Sequence, residues 1–194
     1  MRVKKILNII TMVLLSIFIL SCNSNSTSDQ TKENDENWIN ASDIQVYFSP
    51  NQNIDLIMIK EIEKAKAKIS VAIYDITNKK ITDALINAHK RGISVRLYTD
   101  KNINKDYEQP LLDDLETNGI DVKIATPENW SNVQAYRAIM HNKFIVIDEN
   151  LVITGSYNFT ANAEENNREN LIIIPNKIIA EKYYKQFNIY WDNP

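Results

Sequence analysis

From residue 45 onward, short β-rich runs alternate with stretches of helical periodicity, and this alternation constrains the fold more than any other feature. QVYF (Gln45 to Phe48) is stopped by Ser49-Pro50, and Ile54, Ile57, Met58, Ile62 and Ala65 then recur at helical spacing. ISVAIY (Ile69 to Tyr74) precedes a second helix, with Thr77 or Asn78 as its cap, Ile81, Ala84, Leu85 and Ala88 as its face, and Gly92 at its end. ISVRLY (Ile93 to Tyr98) leads to a helix around Leu111, Leu112 and Leu115 that ends at Gly119. IDVKIA, strands around His141 and Leu151, LIII before Pro175, and a last helix carrying Ile179, Tyr183, Phe187 and Tyr190 complete the chain. Repeated β-then-helix units predict an α/β fold: a mixed, mostly parallel sheet flanked by helices.

The N-terminal region has another character. MRVKK is basic, and ILNIITMVLLSIFIL is apolar but interrupted by Asn8, Thr11 and Ser16. That pattern reads as a signal peptide and not as a membrane span. Cys22, the single cysteine, follows it directly. The FILSC segment resembles the lipobox of bacterial lipoproteins, with Ser21 as the small residue before the cysteine and Leu20 larger than the pattern prefers. The resemblance implies lipidation of Cys22 and an exported protein anchored to the cell envelope, periplasmic or on the outer surface. Residues 1–22 are then the signal peptide with its lipobox cysteine. Residues 23–37, polar and unable to bury a core, form a flexible tether. The folded domain runs from 38 to 194.

Within HNKFIVIDENLVITGSYNFT (His141 to Thr160), a histidine and a lysine open an apolar strand. Residues i and i+2 of a strand share a face, so His141 and Lys143 project together and Ile145 and Ile147 continue that face inward. An imidazole is a nucleophile that brings no negative charge to an anionic phosphodiester. An ammonium on the same face neutralises the non-bridging oxygens. Ser156 and Asn158 follow Gly155, which permits close backbone approach, and both can donate hydrogen bonds to those oxygens. Asp148 has the opposite parity from His141 and is expected to brace the loop instead of touching phosphorus.

The spacing His141-x-Lys143-x₄-Asp148-x₆-Gly155-Ser156-x-Asn158 resembles the signature of the phospholipase D superfamily, HxKxxxxDxxxxxxGSxN, at every defined position. The likeness runs from about Tyr47 to the C-terminus. With the AIYDIT and NNREN segments, it is similar to the small single-motif bacterial endonucleases of that superfamily and to the mitochondrial cardiolipin hydrolases. The resemblance implies His141, Lys143 and Asp148 as catalytic-motif residues, with Lys143, Ser156 and Asn158 on the substrate phosphate. It also implies Glu169, of NREN, as an acidic partner for the nucleophile's other nitrogen. One motif is half a site, because the chemistry needs a nucleophile and a general acid. His89 lies in a helix without a supporting motif and reads as a surface residue. The expectation is therefore a homodimer that shares one cleft.

Substrate is the open point. Removing Arg2, Lys4 and Lys5 with the signal peptide leaves 22 − 3 = 19 basic against 25 acidic residues, a net charge of −6. Nucleic-acid binding ordinarily rests on a basic surface. A lipid tether would hold the site beside phospholipid, and Trp130, Tyr136 and Arg137 before the motif suit a headgroup interface or base stacking. Phospholipid headgroup hydrolysis giving phosphatidate is the leading expectation. The alternative is an endonuclease cleaving DNA or RNA, and the third reading is a non-catalytic surface-binding lipoprotein. Lys64, Lys66 and Lys68 read as a solvated helix end. Glu164 and Glu165 read as surface, with no cluster or His-x₃-His spacing beside them, so no metal and no cofactor is expected.

Overall fold

The structure is a computed structural model and describes residues 40, 43–126 and 138–194. Cys22, the 1–22 and 23–37 segments, the boundary at Trp38, and Trp130, Tyr136 and Arg137 lie outside the described residues. Among the described residues seven strands form one sheet: β1 (Gln45–Phe48), β2 (Lys68–Ile73), β3 (Ser94–Thr99), β4 (Asp121–Ile124), β5 (Lys143–Ile147), β6 (Leu151–Gly155) and β7 (Asn170–Ile174). Their spatial order is β1-β7-β6-β5-β2-β3-β4. The sheet is mixed and flanked by helices, but its parallel part is smaller than the sequence predicts. Only β2–β3 and β3–β4 pair in parallel; β1–β7, β7–β6, β6–β5 and β5–β2 are antiparallel. The reason is local. No helix intervenes between β5 and β6, whose three-residue connection forces a reversal, whereas parallel neighbours need a crossover.

The helices are α1 (Ile54–Lys64), α2 (Lys79–Lys90), α3 (Gln109–Thr117), α4 (Ala161–Glu165) and α5 (Lys177–Asp192). Ile54, Met58 and Ile62 of α1 recur at i, i+4 and i+8 and are fully buried. Each such side chain contributes about 1.5–3 kcal/mol of burial. They pack with Ile81 and Leu85 of α2 against Ile69, Val71 and Ile73 of β2. The opposite sheet face carries Ala72, Tyr98, Phe144 and Val146, covered by Ala180 and Phe187 of α5. Because β5 is buried on both faces, its run FIVI shows no apolar alternation.

Caps fix where helices begin. Asn78 Oδ1 accepts from Lys80 N at 3.0 Å, and Asn176 Oδ1 accepts from Ile179 N at 2.9 Å. At the start of α1 the side chain comes from 110 residues away: Glu164 accepts from Ile54 N at 3.3 Å, Asp55 N at 3.1 Å and the Tyr157 hydroxyl at 2.8 Å. This corrects the reading of Glu164 as a surface residue. Lys68 also departs from the solvated helix end, since it opens β2 and pairs with Glu149. Half-buried His89 packs against Gly119, and its Nδ1 is buried without a hydrogen-bond partner among the described residues.

Candidate active site at the open end of the sheet

The sheet order brings the C-terminal ends of β2 and β6 to either side of the N-terminal end of β5. His141 and Lys143 therefore emerge between Tyr74-Asp75 and Ser156-Asn158. A parallel bridge between Ile76 and Phe159 ties the two flanks, with Thr77 N and Asn78 N both donating to Phe159 O at 2.8 Å. Glu169 immediately precedes β7, at the same end. Thus one end of four strands gathers His141, Lys143, Ser156, Asn158 and Glu169, but not Asp148.

The imidazole of His141 is exposed and packs edge-on against the Tyr74 ring, centroids 4.6 Å apart. Lys143 is 9% exposed. Its Nζ donates to His141 O at 3.0 Å and lies 5.2 Å from the Tyr74 ring centroid. Burial lowers the Lys143 pKa, and the nearby charges of Glu169 and Asp75 partly restore it. A partly dehydrated ammonium of this kind gains more from an arriving phosphate than a solvated one does.

Ser156 and Asn158 hang from a close strand contact. An added Cβ on Gly155, whose φ is +156°, would sit 2.2 Å from Asn170 O. The approach lets Ser156 N donate to Asn170 O at 3.2 Å and to Asn170 Oδ1 at 3.1 Å, while Asn170 N donates to Ser156 Oγ at 3.1 Å. The Ser156 hydroxyl thus accepts from backbone and keeps its own hydrogen to donate. Asn158 Oδ1 is buried without a partner among the described residues. It forms a wall of a cleft of about 580 Å³ that also contains Asp75 and Tyr107.

Two predicted residues differ in placement. Among the described residues Glu169 makes no bond to the imidazole; its Oε1 accepts from Asn167 Nδ2 at 3.0 Å, and Ser49 holds its backbone on both sides. Asp148, grouped with the catalytic motif, lies beyond the far end of β5. Its carboxylate accepts from the amides of Lys66 at 2.8 Å, Ala67 at 2.8 Å and Lys68 at 3.0 Å. Burial raises the Asp148 pKa, but those three amides outweigh it and leave a net depression. Asp148 braces the α1–β2 connection and does not reach the cluster.

A profile described as "Cardiolipin synthase, PLD-like domain" matches residues 58–191. The chain belongs to the phospholipase D superfamily. It is 35% identical over 150 residues to a phospholipase D of Rickettsia prowazekii, covering 77% of this chain and 68% of that protein. It is 28% identical over 129 residues to a mitochondrial cardiolipin hydrolase of Chlamydomonas reinhardtii, covering 66% of this chain and 53% of that one. Among solved structures it resembles the phospholipase D family member Nuc of Salmonella typhimurium. There the TM-score is 0.69 at 30% identity, over 77% of this chain and 94% of Nuc. This superfamily member is a phospholipase D-type phosphodiesterase.

Sequence reasoning missed several residues around the cluster. Tyr74 and Asp75 follow β2, and Asp100, 1% exposed, follows β3. Asp100 Oδ2 accepts from Met140 N at 2.6 Å and so pins the residue before His141. Glu108 is 3% exposed and accepts from Asn104 N at 3.3 Å and Thr99 Oγ1 at 3.4 Å. Burial pushes its carboxyl up to about 7, with Asp75 adding to the rise. The AIYDIT segment was the available signal for Tyr74 and Asp75. Asp100 and Glu108 gave none, because only the sheet order places them there.

Proposed function

We propose that this phosphodiesterase hydrolyses the headgroup ester of membrane phospholipids, releasing phosphatidate through a covalent phosphohistidine on His141. The observation that carries the reading is the pairing of an exposed imidazole with a buried ammonium at the open end of the sheet. His141 attacks phosphorus, and the P–O bond to the headgroup breaks as a general acid protonates the departing oxygen, which leaves as the free alcohol. Lys143, Ser156 and Asn158 hold the non-bridging oxygens and stabilise their charge through the transition state. Water then attacks the phosphohistidine, forming phosphatidate and returning the imidazole.

The choice of lipid over nucleic acid rests on net charge, −3 for the whole chain. It rests also on an anchor at Cys22 that holds the domain beside a membrane. Acyl chains on Cys22 would do the holding. No helix among the described residues is long and apolar enough to cross a membrane. Cys22→Ser should release the protein from the membrane fraction, and a variant that stays bound refutes lipidation as the anchor. The likeness to Nuc favours a second reading, cleavage of nucleic acid.

The deciding experiment incubates purified protein with phospholipid vesicles, single-stranded DNA and RNA, alongside His141→Ala. Phosphatidate release that vanishes in the variant and persists in EDTA is the expected result. Cleavage of nucleic acid alone establishes the second reading. Activity lost in EDTA and restored by a divalent metal rules out the phosphohistidine route.

A further inference from the structure

Away from the reaction cluster, the same sheet carries another cleft, of about 420 Å³, lined by Ala67, Lys68, Ser70, Ser94, Arg96 and Tyr184. Parallel pairing sets Lys68 beside Ser94 and Ser70 beside Arg96. Alternate residues of a strand share a face, so these four side chains project together from β2 and β3. Tyr184 reaches them from α5. Lys68 opens β2, whereas Tyr74 of the reaction cluster follows its last residue. Six residues at about 3.3 Å each put the two roughly 20 Å apart, at opposite ends of the strand.

The polar side chains lining this cleft are all hydrogen-bond donors, and none is a carboxylate. Arg96 Nη2 donates to Asn188 Oδ1 at 3.0 Å and to the Tyr184 hydroxyl at 3.3 Å. Its guanidinium lies 4.9 Å from the Phe187 ring centroid and 5.0 Å from that of Trp191. These contacts fix the fork, yet among the described residues no carboxylate pairs with it. Asp121, its neighbour in register on β4, is exposed and forms no ion pair with it. Glu149 is engaged by Lys68, whose Nζ lies 4.6 Å from the Tyr184 ring centroid. Ser70 is 2% exposed, and its hydroxyl has no hydrogen-bond partner among the described residues. A buried hydroxyl facing a cleft beside a guanidinium without a counter-charge is a site short of an acceptor.

We infer that this cleft is a second, non-catalytic anion site that takes a phosphate group, held by Arg96, Lys68 and the hydroxyls of Ser70 and Tyr184. A guanidinium has five N–H donors, and the two bonds above use Nη2 alone, which leaves Nε and Nη1 for two phosphate oxygens. A tetrahedral phosphate offers oxygens on several sides, as donors from two strands and a helix require; a planar carboxylate would meet fewer of them. The separation of roughly 20 Å excludes the phosphate under attack by His141 as the occupant. The occupant is a phosphate on a separate molecule, a soluble phosphomonoester or a lipid headgroup, and the site stands whichever phosphodiester His141 cleaves.

The test titrates isotope-labelled protein with inorganic phosphate and glycerol phosphate and follows backbone amide shifts by NMR, which separates this cleft from the reaction cluster. Amides of Lys68, Ser70, Ser94 and Arg96 should shift saturably. Their midpoint should rise about tenfold in Arg96→Gln and about threefold in Ser70→Ala, while shifts around His141 keep their own midpoint. Ser70→Ala is a small change and reports even if Arg96→Gln fails to fold. Dihexanoyl phosphatidate, a soluble lipid with the same monoester, distinguishes the sources. A midpoint well below that of glycerol phosphate assigns a lipid headgroup, and an equal or higher one assigns a soluble phosphomonoester; both uphold the site. Shifts confined to the surroundings of His141 and Lys143 overturn it. So do midpoints at this cleft that neither variant moves.

Discussion

Gly155 and Asn170 approach each other across β6 and β7 more closely than a side chain at position 155 would allow. A Cβ at position 155 would meet Asn170 O at 2.2 Å and Asn170 Oδ1 at 2.7 Å. The main-chain oxygen is the harder constraint, since it belongs to a strand paired on both sides. Gly155→Ala should therefore lower the melting temperature by roughly 5–15 °C. Activity should fall as well, because the Ser156–Asn170 bonds that place the phosphate donors depend on this contact. Adding Asn170→Gly removes the Oδ1 contact but not the one to oxygen, so it should not rescue stability. A thermal scan in which Gly155→Ala melts like the wild type would refute the close approach.

Glu108 predicts an acid-side stabilisation. Its carboxyl is raised to about 7 in the fold, against 4.5 for the free group. The native state thus holds a proton that the unfolded chain has released, between those two values. Stability from this group is fully present below the lower value and is lost as pH rises through the upper one. At about 1.4 kcal/mol per pH unit, the loss from pH 5 to 8 is on the order of 2–3 kcal/mol. Glu108→Gln should flatten the profile over that window and exceed the wild type in stability at pH 8. Denaturant midpoints across pH measure this. Equal slopes in both proteins would place the titration elsewhere.

Legibility in the sequence followed the range of the interactions. The strand and helix runs lie within one or two residues of their observed bounds, because local periodicity sets them. Parity sent Asp148 away from the site, and the structure places it on three amides of the α1–β2 connection, but β5 begins at Lys143, so His141 stands before the strand whose parity was expected to orient it. Strand direction was less readable. A buried apolar run looks alike in either orientation, so β5 and β7 gave no sign that they run against β2. Long-range partners were not readable at all. The contacts of Glu164 with the start of α1 and of Asp100 with Met140 N depend on a strand order that no spacing in the chain encodes.

The last prediction concerns the second imidazole. The phosphohistidine route needs one group to attack and another to protonate the departing oxygen. His89 cannot serve within the chain. It stands near the end of α2, whose first residue follows the site flank at Asn78, about ten residues and roughly 15 Å along the helix axis. The active unit should then be a homodimer with His141 of both chains in one twofold cleft. One imidazole starts neutral and its twin starts protonated, so the pH–rate profile should be a bell whose limbs belong to the pair. Coexpressing wild type with His141→Ala in equal amounts gives about one quarter wild-type dimers by random mixing. Half the wild-type chains are then paired with a partner that lacks either nucleophile or acid, and activity per wild-type chain should fall to about half. Activity that stays unchanged, or a fully active monomer in sedimentation, would place the proton donor within the chain. Glu169, whose charge already acts on Lys143, would then be the first residue to replace.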